Sequence, residues 1–191
     1  MRFQQTIRKP VTCSGVGLHS GCRVSVTLMP APLDTGIVFI RKDVSDSPQI
    51  QVSIENIRPA LLSTTVGIDG VQVQTIEHLL AAASGLDIDN LLVEIDAPEL
   101  PALDGSAQSF VSLMLEAGIV SQDRRRSYLK VVRPIEVIEG DKRIAGKNVM
   151  SASSFYGQSP PDGYRTMFLS DSDGGLQLMF AVYEDKLGLY I

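Results

Sequence analysis

Between Arg23 and Ala117 the apolar residues switch from every second position to every third or fourth, then repeat both patterns. A period of two buries one face of a strand and a period near 3.6 one face of a helix, so the chain must build both. Arg23-Val24-Ser25-Val26-Thr27-Leu28 is the clearest strand, with shorter ones at Thr6-Ile7, Val11-Thr12-Cys13 and Ile37-Val38-Phe39-Ile40. Turn chemistry separates them at Ser14–Gly17, Ser20-Gly21, Pro30–Pro32 and Asp34–Gly36. Asp69-Gly70 predicts a tight hairpin between Ser63–Ile68 and Val71–Gln74, an antiparallel signature.

The helical period begins at Thr75 and runs to Ser84, with Thr75 as cap and Gly85 as terminator. A strand at Asn90–Ile95 follows. Ser106 or Asp104 then caps a second helix, Ala107–Ala117, ended by Gly118. After the polar segment Ser121–Ser127, Tyr128–Val132 and Ile135–Ile138 read as a hairpin opening a second unit. From Ala145 periodicity is weak; only Leu176–Tyr183 makes a convincing strand, and its surroundings read as loop-like or poorly ordered.

The 191 residues suit one good-sized domain or two small ones. Hydrophobic residues make 44% and charged residues 20%, which excludes disordered, collagen-like and coiled-coil classes. A formal charge of −5 and no basic block beyond Arg124-Arg125-Arg126 give no support to nucleic-acid binding. That triplet reads as a solvated linker. Cys13 and Cys22 cannot make a disulfide framework, which favours a reducing compartment. The first residues lack the apolar core of a signal peptide, and no window approaches the roughly 20 apolar residues of a membrane span. The expected location is the cytoplasm, where a groove could still hold a lipid-like substrate.

Histidine chemistry must run through His19 or His78, the chain's two histidines. Glu77 and His78 start a helix, their side chains about 100° apart around its axis, so both can address one small ligand. An imidazole is a zinc donor, and a neighbouring carboxylate can take a proton from metal-activated water. The same dipeptide is also an ordinary surface or core feature. One histidine does not complete a catalytic zinc site, which takes three protein ligands. His19 lies on the glycine-rich turn Gly15–Gly21, where backbone can approach a ligand or a turn residue can cap local carbonyls. Cys13 and Cys22 flank that turn and read as packing. Asp104-Gly105-Ser106 reads as a turn with a helix cap.

Several segments match a family together and in order. Gly15-Val16-Gly17-Leu18-His19-Ser20-Gly21, Pro30-Ala31-Pro32 with Thr35-Gly36, Thr75-Ile76-Glu77-His78-Leu79, Gly85–Asn90, and Ala97-Pro98-Glu99-Leu100-Pro101 leading to Asp104-Gly105-Ser106-Ala107 resemble the UDP-3-O-acyl-N-acetylglucosamine deacetylases. The resemblance spans Thr6 to Lys142, including the turn Glu139-Gly140-Asp141-Lys142. It implies a zinc-dependent cytosolic amidase of lipid A synthesis that removes the N-acetyl group from a UDP-sugar carrying a 3-O-hydroxyacyl chain. The implied fold is α+β: a two-layer sandwich of antiparallel or mixed β-sheet with two helices over residues 1–126. Residues 127–144 would be the first hairpin of an incomplete second domain, and 145–191 an unmatched tail. The resemblance makes Glu77 the general base and His78 a zinc ligand. It places His19 near the substrate, with Leu62, Ser63 and Thr64 on a bordering loop.

The family completes its zinc site with a histidine and an aspartate spaced four apart in the second domain, and uses a further histidine as acid or electrostatic stabiliser. No histidine follows His78. Three readings stay open: a truncated or frameshifted deacetylase, weakly active or inactive as this chain; a non-catalytic module binding a UDP-sugar, an acyl carrier or a partner protein; and a hydrolase whose metal is completed by a second chain, His19, Asp104 or a cysteine. A hairpin at Tyr128–Ile138 without the rest of its sheet would expose edges and favour weak association.

Overall fold

The computed structural model describes residues 3–127, 135–140, 142–149, 164–170, 177–183 and 186–190. Chain contacts gather them into two compact units, Phe3–Arg126 and a second one beginning at Ser127. The first unit contains β1 (Phe3–Ile7), β2 (Val11–Val16), β3 (Arg23–Pro30), β4 (Ile37–Arg41), β5 (Gln49–Gln51), a 3-10 turn at Ile54–Asn56 and β6 (Ile57–Arg58). It continues with β7 (Thr65–Ile68), β8 (Val71–Val73), α1 (Glu77–Gly85), β9 (Leu91–Ile95), α2 (Gln108–Ala117) and β10 (Ile119–Arg125).

A five-stranded sheet runs in the order β2-β3-β9-β4-β5, with β4 and β9 parallel and the other pairs antiparallel. A second sheet has the order β6-β7-β8, and β1 pairs with β10. This is an α+β architecture with mixed sheet. Its core follows from the two periods: Val24, Val26 and Leu28 of β3 and Leu91, Val93 and Ile95 of β9 are buried. Leu79, Ala82 and Ala83 of α1 and Phe110, Met114 and Ala117 of α2 join the same apolar cluster. Complete burial of a side chain such as Phe39 or Phe110 is worth roughly 1.5–3 kcal/mol.

The Asp69-Gly70 hairpin forms as expected, with φ of +50° and +81° at its two turn residues. Gly118 ends α2 at φ +74°. That helix starts at Gln108 after Ala107, a position with no side-chain cap, so neither Ser106 nor Asp104 is its cap residue; Ser106 Oγ accepts from the Gln108 N–H at 3.0 Å beside it. Other expectations need correction. Ser14–Val16 is strand rather than turn, paired through Ser14↔Ser25, Gly15↔Val24 and Val16↔Arg23. Glycine is needed at position 15 because Pro101 lies across it, 2.8 Å from where a Cβ would be. Thr75 does not cap α1, which starts at Glu77 after a position with no side-chain cap; Gly85 is its last residue rather than its terminator.

Ser121–Arg125 is also strand, in β10, pairing with β1 through Gln5↔Ser121 and Phe3↔Arg125. It alternates poorly because one side of the ribbon is largely exposed. Arg126 is no solvated linker residue: its guanidinium bridges Asp87 at 2.7 Å and Asp89 at 2.6 Å, while Arg124 pairs with Asp34.

The second unit contains β11 (Ile135–Glu139), β12 (Lys142–Val149), β13 (Tyr164–Ser170), β14 (Gln177–Tyr183) and β15 (Lys186–Tyr190), an antiparallel meander in sequence order. Ile135–Glu139 pairs with Lys142–Gly146 around Gly140, which has φ +62°. Its expected partner Tyr128–Val132 lies outside the described residues. Within the segment read as loop-like, β13 and β15 accompany the expected strand; Tyr, Thr and Phe in the first and alternating leucines in the second fit extended backbone.

Candidate functional site

The site is built around the start of α1. Glu77 and His78 lie in its first turn, both half-buried. The Thr64 N–H donates to Glu77 Oε2 at 2.9 Å, and the Thr64 carbonyl accepts from the Ile76 N–H at 3.3 Å. This two-way link fixes the Leu62–Thr64 loop to the helix start. One oxygen of Glu77 is thereby held, and among the described residues its other oxygen has no hydrogen-bond partner. The same holds for the His78 ring. Leu62 is 76% exposed and Leu61 94%, an apolar rim beside the loop.

His19 reaches the site through its backbone. The turn between β2 and β3 points its amides at Glu99: the His19 N–H lies 3.0 Å from Oε1 and the Ser20 N–H 2.7 Å from Oε2. The Thr75 hydroxyl donates to Oε1 at 2.9 Å. Thr75, at φ +59°, stands two residues before Glu77, so one carboxylate joins the His19 turn to the helix start. The backbone repeats this connection. Gln74 donates to Pro98 and accepts from Leu100, while Gly17 bridges to Pro101 and the Ala102 N–H reaches the Val16 carbonyl at 2.9 Å.

Glu99 is 1% exposed. Burial alone would raise its pKa, but hydrogen bonds from the Ser20 hydroxyl, the His19 and Ser20 amides and the Thr75 hydroxyl lower it to about 2. Glu99 was visible in the sequence only as part of Ala97–Pro101, a carboxylate between prolines in an apolar stretch. The useful signal would have been its position where no solvated charge fits the pattern.

Asp104 caps the Ser106 turn, accepting from the Ser106 N–H and hydroxyl; the hydroxyl bond chiefly lowers its pKa. Cys13 and Cys22 are free thiols; burial raises the pKa of Cys13. No group of three His, Cys, Asp or Glu side chains suited to a metal ion occurs among the described residues. One imidazole beside one carboxylate falls short of the three protein ligands of a catalytic zinc, so these residues alone do not fit that metal. Among the described residues no helix is long and apolar enough to cross a membrane.

This α+β unit brings a half-anchored carboxylate and an imidazole together at one helix start. Residues 4–155 match the model of the LpxC family, UDP-3-O-acyl N-acetylglycosamine deacetylase. The UDP-3-O-acyl-N-acetylglucosamine deacetylase of Shewanella oneidensis is 48% identical over 143 residues, covering 74% of this chain and 47% of the relative. The protein of the same name from Shewanella baltica strain OS155 gives the same identity and coverage. The chain belongs to the UDP-3-O-acyl-N-acetylglucosamine deacetylase family, and it spans about half the length of the curated relatives it matches.

Proposed function

We propose that this chain carries the acid–base half of a site that hydrolyses the N-acetyl amide of UDP-3-O-acyl-N-acetylglucosamine, a step of lipid A synthesis. The observation supporting it most directly is the Thr64–Glu77 hydrogen bond, which holds one carboxylate oxygen and leaves the other available to accept a proton. Glu77 is the general base in this reading, and His78 a donor to zinc. The zinc expected of the family would supply Lewis acidity when bound. His19, Leu62, Ser63 and Thr64 border the substrate, with Leu62 giving apolar surface. The domain boundaries belong to the same reading: a first domain over 1–126 and the opening hairpin of a second over 127–144. Its setting is the cytoplasm, compatible with two free cysteines.

With one imidazole and one adjacent carboxylate, the chain by itself is a weak or inactive catalyst. Titration calorimetry with UDP-3-O-acyl-N-acetylglucosamine tests the assignment: saturable binding weakened by His19→Ala and Leu62→Asp is expected, and absence of saturable heat overturns it. The small donor set also favours a second reading, a non-catalytic module for a UDP-sugar, an acyl carrier or a partner protein. Acetate release lost on Glu77→Ala favours the enzyme; binding without acetate release at any zinc concentration favours the module.

A further inference from the structure

We infer that Glu99 is a positioning residue, coupling the turn of His19 to the start of α1 that carries Glu77 and His78. The roles of those three residues rest on the proposed function; the coupling rests on geometry. Oε1 of Glu99 takes the His19 N–H at 3.0 Å and the Thr75 hydroxyl at 2.9 Å, and Oε2 takes the Ser20 N–H at 2.7 Å. These donors come from two segments more than fifty residues apart in sequence.

The carboxylate is buried, and among the described residues no lysine or arginine pairs with it. A buried charge without a counter-ion is tolerated only where donors converge on it, and an apolar side chain would fill the same space at lower cost if packing were the sole requirement. Its placement therefore serves the two segments it joins. Thr75 is held at a positive φ unfavourable for a β-branched residue, with its hydroxyl on Glu99. Across the carboxylate, a Cβ on Gly17 would lie 2.4 Å from both Glu99 Oε2 and Ser20 Oγ. The Glu99 side chain cannot shift without displacing one segment or the other.

The test uses the full chain, isotopically labelled, in solution NMR. Because His19 and His78 are the two histidines of the sequence, their imidazole resonances report the two segments separately. Glu99→Gln keeps the shape and removes the charge. It is expected to speed amide exchange at His19 and Ser20 roughly tenfold relative to Val26 and Val93 in the central strands, and to shift both imidazole resonances. Wild-type exchange at His19 and Ser20, a shift confined to His19, or equal acceleration through Val26 and Val93 overturns the inference.

Thr75→Val removes one donor and keeps the charge, and decides the matter if Glu99→Gln does not fold. It is expected to shift the His78 resonance while Ser20 exchange stays near wild type; an unmoved His78 overturns the coupling. No metal, substrate or turnover enters these readouts. Failure of the deacetylase reading appears instead as absent UDP-sugar binding with the NMR results intact.

Discussion

The Thr64 N–H and Glu77 Oε2 meet at 2.9 Å across thirteen residues of chain, tying a loop to the first turn of a helix that lacks a side-chain cap. Glu77→Gln can still accept this bond through its amide oxygen, so its denaturation midpoint should stay close to wild type. Glu77→Leu leaves the Thr64 amide to water. Because Thr64 is exposed, the loss should stay under about 1 kcal/mol in chemical denaturation. A larger loss would mean that the loop and helix start unfold together.

Metal content provides the second check. With His78 and Glu77 as the donors at the helix start and no group of three among the described residues, the purified chain should hold well below one zinc per molecule. Atomic absorption after dialysis measures this. Stoichiometric zinc that disappears in His78→Ala would show that the chain completes its own metal site.

Acid stability should carry the signature of Glu99. Its folded pKa of about 2 lies below the usual 4.5, so its contribution is fully present above pH 4.5 and is lost as pH falls through 2. The size is at most roughly 3 kcal/mol. Wild type should lose stability more steeply than Glu99→Gln between those limits in urea melts at stepped pH, and parallel curves would contradict the low pKa.

Gly17→Ala places a methyl group against Glu99 Oε2 and Ser20 Oγ, each 2.4 Å from the new carbon. Crowding of this kind costs about 1–3 kcal/mol. Thermal unfolding should show that loss, with amide exchange fastest at His19 and Ser20. A variant as stable as wild type would mean that the turn can move away from Glu99.

What could be read from sequence depended on how local each requirement was. Asp69-Gly70 and Gly118 announced themselves because a positive φ is met by few residue types, and the backbone there depends on no distant partner. The Glu77–His78 helix start was equally visible; the chemistry of the pair allowed a zinc donor beside a base, and the family resemblance turned that possibility into assigned roles. Thr75 misled: a threonine before a helical run reads as a cap, but its hydroxyl is taken by Glu99, 24 residues away. Arg126 looked solvated for the same reason, since Asp87 and Asp89 lie far back in the chain. Glu99 itself was hidden because burial of a lone carboxylate is a property of the assembled fold.

The pairing of β1 with β10 imposes an order on synthesis. Ile7 is completely buried, yet its ladder partner Ile119 is made more than a hundred residues later. Until that segment leaves the ribosome, β1 lacks its ladder partner, a long-range closure that slows folding and exposes the nascent chain to wrong partners. The helices and inner sheet can form beforehand, so β1 is fastened after elements that are translated later than it is.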